Sequence, residues 1–340
     1  MGGGGTRQWR AEQGIDDARF QNILENRAEA TFYHTRTWAR ILTSAFPQLS
    51  DLSRILEIDG EAYALPLFRW RRLGGLLSTL HSSFPFLYGG PIPTTSPLVW
   101  DAVIRNLARK SGSLVVIGNP FQEGADATTQ AEGPDAPAST GVSRAWETTH
   151  LLELPRTVED FWNGILTTRK RNDIRRLTRK GVHVELSRED ADVRCVYELY
   201  LKRMRTWEQR PRLIYPLGFY QAMMSVGGES VKLYVARFEG RVIGGTFTCC
   251  WNGIAHYQAG YFDHDARNLR PNVLIQDRII QDAIRDGCRI YDMLPSAGIA
   301  AVESFKESFG GVKTRFARWE KTDPVHRLAQ WIRSFREDRG

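Results

Sequence analysis

One order of elements occurs twice in this chain: a hairpin, then an amphipathic helix, then a short apolar strand. The first copy reads SRILEI, an Asp59-Gly60 turn and EAYALPLFRW, followed by PLVWDAVIRNLARKSG and SLVVIG. The second reads VKLYVARF, a Glu239-Gly240 turn and RVIGGTFTCCW, followed by NVLIQDRIIQDAIRDG and CRIYDML. Asn252-Gly253 adds a second two-residue turn, because both residues tolerate positive φ, and so makes IAHYQAGY a third strand. Apolar residues alternate in the strands and recur at helical spacing in the helices; in the second copy Val273, Ile275, Ile279, Ile280, Ala283 and Ile284 face inward. No short-period repeat accompanies the duplication, so a solenoid is excluded. The expected architecture is α/β (α+β): two similar domains side by side, each with a mixed sheet flanked by helices, and a cleft between them as the default ligand site.

The 340 residues suit such a division. Residues 1–30 read as an N-terminal extension with a flexible Gly-rich start. Residues 31–155 form the first domain, within which 122–147, rich in Ala, Gly, Thr, Ser and Pro, cannot bury much surface and read as a mobile loop. Residues 156–320 form the second domain, and 321–340 a C-terminal helix. A helix is expected over TVEDFWNGILTTRKRNDIRRLTRKG, with Thr157 and Asp160 as its capping box and Gly181 as its stop. The strand VHVEL and a second helix around VRCVYELYLKRMRTWEQR follow.

Several classes are excluded. There is no run of 18 apolar residues and no apolar h-region at the N-terminus, so a membrane span and a secretory signal are not expected. Cys195, Cys249, Cys250 and Cys288 lack metal spacing, and His34, His81, His183, His256 and His264 show no ligand pattern. No metal is expected, and reduced core thiols point to the cytoplasm. The net charge is +7, and much of it is local: TRKRNDIRRLTRK carries seven cations, Arg169, Lys170, Arg171, Arg175, Arg176, Arg179 and Lys180, against one acid. Such a helix suits phosphate-rich partners, or is simply a solvated face.

Polar residues at element ends are the candidate site. Asp292 stands in an otherwise apolar strand, either orienting another group or bonded to backbone N–H groups at the strand end. Lys306 follows Phe305 on the last short helix. Tyr257 and Tyr261, of equal parity, are expected on one face beside Gln258, either lining a cleft or in core. Asn272 follows Pro271 at a helix start, where free N–H groups bind anions and where an N-cap also sits. Trp38, Tyr88 and Gly89-Gly90 are expected on the first-domain wall of the cleft.

The ordered set FYHTRTW, LYGGPIP, RKRNDIRRLTRKGVHVEL, YQAGYFDHDARNLRPNVLIQDRIIQDAIRDGCRIYDM and SFKESFGG resembles the FemAB-like branch of the GNAT acyltransferases, over roughly residues 30–320. The resemblance implies two tandem GNAT-like domains and transfer of an acyl or aminoacyl group to an amine. It places Lys306 at the acceptor site, where an ammonium neutralises the oxyanion of aminolysis or a substrate phosphate; beside it Asp292 is the second catalytic candidate from the residues themselves, orienting a lysine or accepting a proton from the amine. It implies aminoacyl-tRNA as co-substrate with no bound cofactor, and a cell-wall precursor or natural-product intermediate as amine. Acyl-CoA is the alternative donor. The loop DHDARNLRPN has no glycine, and Pro271 removes one donor N–H, which departs from the CoA pattern. A non-catalytic RNA-binding protein is the alternative of another class.

Overall fold

The computed structural model describes residues 9–11, 16–25, 27–83, 87–94, 97–121, 140–206 and 213–323. The chain forms two compact units, residues 1–147 with 315–340, and residues 148–314.

The first unit runs β1 (Trp9–Ala11), α1 (Asp17–Glu25), α2 (Arg36–Ala45), β2 (Leu49–Asp51), β3 (Arg54–Ile58), β4 (Glu61–Leu65), β5 (Phe68–Arg72), β6 (Leu77–His81), α3 (Pro97–Lys110) and β7 (Ser113–Ile117). Strand β8 (Ser143–Glu153) leads into the second unit. There follow α4 (Val158–Asp160), α5 (Thr168–Thr178), β9 (His183–Ser187), α6 (Asp190–Thr206), α7 (Leu217–Gly227), β10 (Val231–Phe238), β11 (Arg241–Trp251), β12 (Ile254–Phe262), α8 (Pro271–Arg285), β13 (Ile290–Asp292) and α9 (Ala300–Glu307). Strand β14 (Val312–Lys321) returns the chain to the first unit.

The strands of the two units share one pairing pattern. In the first unit β5 and β6 are antiparallel, β6 and β7 parallel, β7 and β14 antiparallel. In the second, β11 and β12 are antiparallel, β12 and β13 parallel, β13 and β8 antiparallel. The duplication expected from the sequence is therefore one of sheet topology. It is not strand for strand. Pro66 interrupts EAYALPLFRW, since proline cannot donate to a ladder. Thus β4 pairs with β3 in a small sheet with β1, while β5 joins the larger sheet. The three expected turns form with both residues left-handed: Asp59-Gly60, Glu239-Gly240 and Asn252-Gly253.

Each unit has its own core. In the first, α3 turns Trp100, Val103, Ile104, Leu107 and Ala108 inward, and Trp100 stacks on Trp319 of β14 at 4.6 Å. In the second, α8 buries all six expected residues against Tyr234, Ala236, Ala255 and Tyr291. Each such buried Val or Ile contributes about 1.5–3 kcal/mol, which fixes α8 on one sheet face.

Several sequence expectations need correction. The segment read as an N-terminal extension holds α1, whose Phe20 and Leu24 are fully buried, and Asp17 takes Arg36 at 2.8 Å and Arg40 at 3.0 Å. Strand β8 begins at Ser143, inside the segment read as loop; residues 122–139 lie outside the described residues. Residues 321–323 continue and follow β14, and the rest of the expected C-terminal helix lies outside the described residues, as does the Gly-rich start. The single helix expected from Thr157 is broken. Thr157 does cap Asp160, but a π-helical turn (Phe161–Ile165) follows, and Thr167 caps a new helix, α5. Gly164 weakens the helix there, and the Arg171 guanidinium bonds the carbonyls of Trp162 (2.9 Å) and Leu166 (2.6 Å) at the break.

Candidate active site

In the second unit, β12 and β13 pair in parallel over only three residues, ending at His256 and Asp292. Beyond that point β12 runs on to Phe262 while the chain leaves β13, so the carboxyl ends of two parallel strands part. This is where sheets of this kind build sites.

Asp292 is fully buried. Its Oδ1 accepts from Thr149 Oγ1 at 2.6 Å and from the Leu294 N–H at 3.0 Å, and its Oδ2 lies 2.9 Å from His256 Nδ1. An ionised carboxylate only accepts, so the Nδ1 proton belongs to His256. Three donors satisfy a charge that would otherwise be prohibitive at this depth. The Leu294 contact has a further effect. Leu294 sits at φ 54°, a left-handed conformation that a branched side chain resists, and Ala297 (φ 50°) and Gly298 (φ 72°) follow. Asp292 holds the Leu294 N–H, and the Leu294 carbonyl accepts the Lys306 ammonium. The carboxylate thus orients the lysine through one residue, Leu294, which is held at its N–H and accepts at its carbonyl.

Lys306 is 6% exposed. Burial pulls its pKa down from 10.5 to about 8, against the pull of Asp292 and Glu303 in the other direction. The site can therefore present a weakly solvated ammonium near neutral pH and a free amine above it. The end of α9 fits closely on β8. A Cβ at Gly311 would stand 3.1 Å from the Lys306 carbonyl oxygen, 3.2 Å from His150 Cβ and 3.2 Å from Met293 Sδ.

Thr149 and His150 escaped sequence reasoning. His150 is fully buried, its two ring nitrogens have no hydrogen-bond partner among the described residues, and Nε2 lies 3.8 Å from Glu307 Oε1. Burial, and then Lys306, lowers its pKa, so the ring is neutral beside the lysine at neutral pH. A Thr-His pair at the start of the apolar run LLEL was the available signal.

The structure distributes the other expected residues. Gln258 is a bulge: Phe247 pairs with Ala259 and Thr248 with Tyr257, leaving one residue over. That extra residue inverts the alternation, so Tyr257 and Tyr261 lie on opposite faces, not one. Tyr257 packs on the α8 core, its hydroxyl 1.8 Å from where a Gly260 Cβ would be. Tyr261 joins Tyr200 of α6, centroids 4.9 Å apart, and its hydroxyl lies 3.0 Å from that of Tyr220 on α7. Asn272 is not the N-cap of α8; Arg270, at φ 45°, holds that place, and Asn272 is half-buried in the first turn. Phe305 is half-buried against Phe309. Trp38 and Tyr88, expected on a ligand wall, are fully buried in the first unit instead. Trp38 packs edge-on to Phe32 and Tyr33, and Tyr88 packs on Tyr33, Phe121 and Phe316.

The seven cations of the basic segment also divide. Arg169, Arg175, Arg176, Arg179 and Lys180 are exposed. Arg171 is consumed in holding the helix break, and Lys170 is buried, so neither belongs to the expected phosphate-binding surface.

Residues 167–307 match the family model described as an acetyltransferase (GNAT) domain. The second unit carries a GNAT acyltransferase domain. Among solved structures, FemX superposes with a TM-score of 0.61 at 12% identity, over 90% of this chain and 96% of its own. The C-terminal DUF2156 domain of an assigned lysylphosphatidylglycerol synthetase from Agrobacterium fabrum gives 0.54 at 13% identity, over 93% and 96%. A tandem GNAT protein from the clavulanic acid biosynthesis pathway, solved without AcCoA, gives 0.55 at 14% identity, over 92% and 98%. At these identities the likeness is one of fold, and it extends over the tandem arrangement as well as the GNAT domain. No curated protein sequence matches the chain. Among the described residues, no helix is long and apolar enough to cross a membrane, and no group of three or more His, Cys, Asp or Glu is placed to hold a metal ion.

Proposed function

We propose that this chain is an N-acyltransferase that forms an amide bond, moving an aminoacyl group from aminoacyl-tRNA to an amine of a cell-wall precursor or natural-product intermediate. The observation that carries the reading is Lys306: a buried ammonium held by the Leu294 carbonyl, beside Asp292, where the two parallel strands part. Aminolysis of an ester needs a neutral amine, a stabilised oxyanion and aligned partners. The amine nitrogen attacks the ester carbonyl, and the oxygen becomes negative. Lys306 offsets that charge in a poorly solvated place, where a fixed cation acts strongly. Collapse breaks the ester C–O bond, and the nucleotide hydroxyl leaves with the proton shed by the attacking amine. Asp292 keeps Lys306 aimed and touches no reacting atom in this scheme.

The aminoacyl donor is favoured by the likeness to FemX and to a lysylphosphatidylglycerol synthetase domain. It is also favoured by the five exposed cations at 169–180, which suit an RNA backbone without reading bases. Use of charged tRNA would place the reaction in the cytoplasm. Acyl-CoA is the second reading, supported by the likeness to a tandem GNAT protein solved without AcCoA. The test is incubation with total aminoacylated tRNA and candidate amines, read by mass spectrometry. Product that RNase abolishes supports the tRNA donor. RNase-resistant product formed with acetyl-CoA would overturn it.

A further inference from the structure

A lone exposed leucine is ordinary on a protein surface. The setting of Leu76 is not. It is 87% exposed, the most exposed large apolar side chain among the described residues, and it stands at the tip of the β5–β6 hairpin. The tip reads Leu73-Gly74-Gly75-Leu76. Gly74 and Gly75 turn the chain at φ 64° and 98°, and a Cβ on either would meet nothing within 4 Å, so the turn projects clear of its surroundings. Turn residues ordinarily bond to water or to their own backbone. This turn presents a leucine.

The hairpin below the tip is cationic. Arg71 and Arg72 are both exposed, and successive strand residues point to opposite faces, so they flank the turn on its two sides. Arg71 donates to Ser50 Oγ at 3.2 Å, and no carboxylate pairs with it among the described residues. Two more segments reach the same end of the sheet. Strands β6 and β7 are parallel with Thr79 opposite Ser113, so the turn from α3 into β7 lies beside the start of β6. It brings Arg109 and Lys110, exposed at the end of α3. Strand β14 runs antiparallel to β7 with Lys321 opposite Leu114, and so finishes here. Asp323, the acid at this end, donates its N–H to Ser113 Oγ at 3.1 Å. The sequence after it adds Arg327, Arg333, Arg336 and Arg339 with Trp331 and Phe335.

We propose that this end of the first unit docks on an anionic phospholipid surface, with Leu76 in the interfacial layer and Arg71, Arg72, Arg109 and Lys110 over the lipid phosphates. A projecting apolar side chain ringed by cations matches both parts of such a surface. The leucine leaves water at the acyl boundary, and each cation near the headgroups adds attraction. A nucleic acid would use the cations alone, because its bases stack on aromatic rings and have no use for a leucine on a turn. The proposal goes beyond the acyl-transfer reading and needs no part of it.

The test is flotation of the whole protein with vesicles of phosphatidylcholine, with and without phosphatidylglycerol. Binding is expected where phosphatidylglycerol is present, weakening as salt is raised, and far less to phosphatidylcholine alone. Leu76→Ser should weaken it about 10-fold or more, and Arg71→Gln and Lys110→Gln about 5-fold each. Leu76→Ser should melt with the parent, since the side chain touches water on nearly all sides. Leu76→Trp keeps an apolar tip and should bind at least as tightly as the parent, which damage to the hairpin would not reproduce. Arg176→Gln combined with Arg179→Gln, on and after α5, controls for charge elsewhere and should change binding little. Absence of binding to the phosphatidylglycerol vesicles, equal flotation of parent and Leu76→Ser, or a loss that follows the α5 cations instead of the hairpin would each overturn the proposal. So would a parent that ignores vesicles and binds an RNA hairpin through Leu76 and Arg71. Amide formation is not measured, so this test and the RNase test fail independently.

Discussion

Two strand pairs hold the same place in the two units, β6–β7 and β12–β13. Each is parallel, each is paired over three residues, and each ends on a histidine: His81 opposite Val115, and His256 opposite Asp292. In the first unit the strand partner is an apolar Val115 instead of a carboxylate. Burial, then Arg72 and Arg318, presses the His81 pKa to about 3, and among the described residues its Nδ1 has no hydrogen-bond partner. In the second unit the carboxylate gathers His256, Thr149 and the Leu294 N–H, and through Leu294 it aims Lys306. A repeated strand pattern supplies the same opening twice. The aspartate is what lets one of the two hold a lysine.

The largest way to break this difference is to erase it. Asp292→Val gives the second unit the pairing of the first, and leaves His256 and Thr149 buried without their acceptor. A loss of about 3–5 kcal/mol in urea unfolding is expected, together with loss of the Leu294 turn. A stability within 1 kcal/mol of the parent, on the same scale, would mean that the carboxylate does not organise the site.

Lys306→Ala tests the other end of the chain of contacts. The turnover rate should fall about 100- to 1,000-fold, as for removal of an oxyanion-stabilising donor, with the fold intact. An unchanged rate would remove Lys306 from the mechanism.

The depressed pKa of Lys306 predicts opposite pH trends for rate and stability. If the ammonium is the active form, turnover falls as pH rises through about 8. The unfolded chain holds that proton up to the ordinary lysine value of 10.5, so it binds more protons than the folded chain between the two values. This group therefore raises stability as pH rises across that window. Rate and stability that fall together above pH 8 would argue that unfolding sets the limb, and Lys306→Ala should remove the stability trend.

The smallest expected effect is that of Thr149→Val, which strips one of three donors from Asp292. A loss of about 1–2 kcal/mol is expected, and a melting curve superimposable on the parent's would show that the contact is dispensable.

How far the sequence foretold this depends on how local each interaction is. The three turns, the Thr157 cap, the inward stripe of α8 and the oddity of an aspartate in an apolar strand are written in neighbouring residues. The partners of Asp292 are not. Thr149 lies far back in the chain, and the Thr-His pair at the head of LLEL marks a polar spot without naming the carboxylate it meets. Tyr257 and Tyr261 were assigned one face because alternation is exact only without a bulge, and Gln258 broke it. Lys170 looks like its charged neighbours on α5 until Phe305 and Phe309 cover it. Helix α7 went unread because its segment, LGFYQAMMSVG, has a high apolar content without a clear stripe.

The chain enters the first unit twice, and this has a consequence for its birth on the ribosome. Strand β14 closes the edge of β7 with Arg318–Lys321 opposite Leu114–Ile117, and brings Trp319 onto Trp100. All of that arrives only after residues 148–314 have been made. The second unit is contiguous, so it can complete its sheet and its lysine site first. Until then the nascent first unit waits with an open strand edge and an uncovered tryptophan, an interval in which an unpaired edge invites the wrong neighbour.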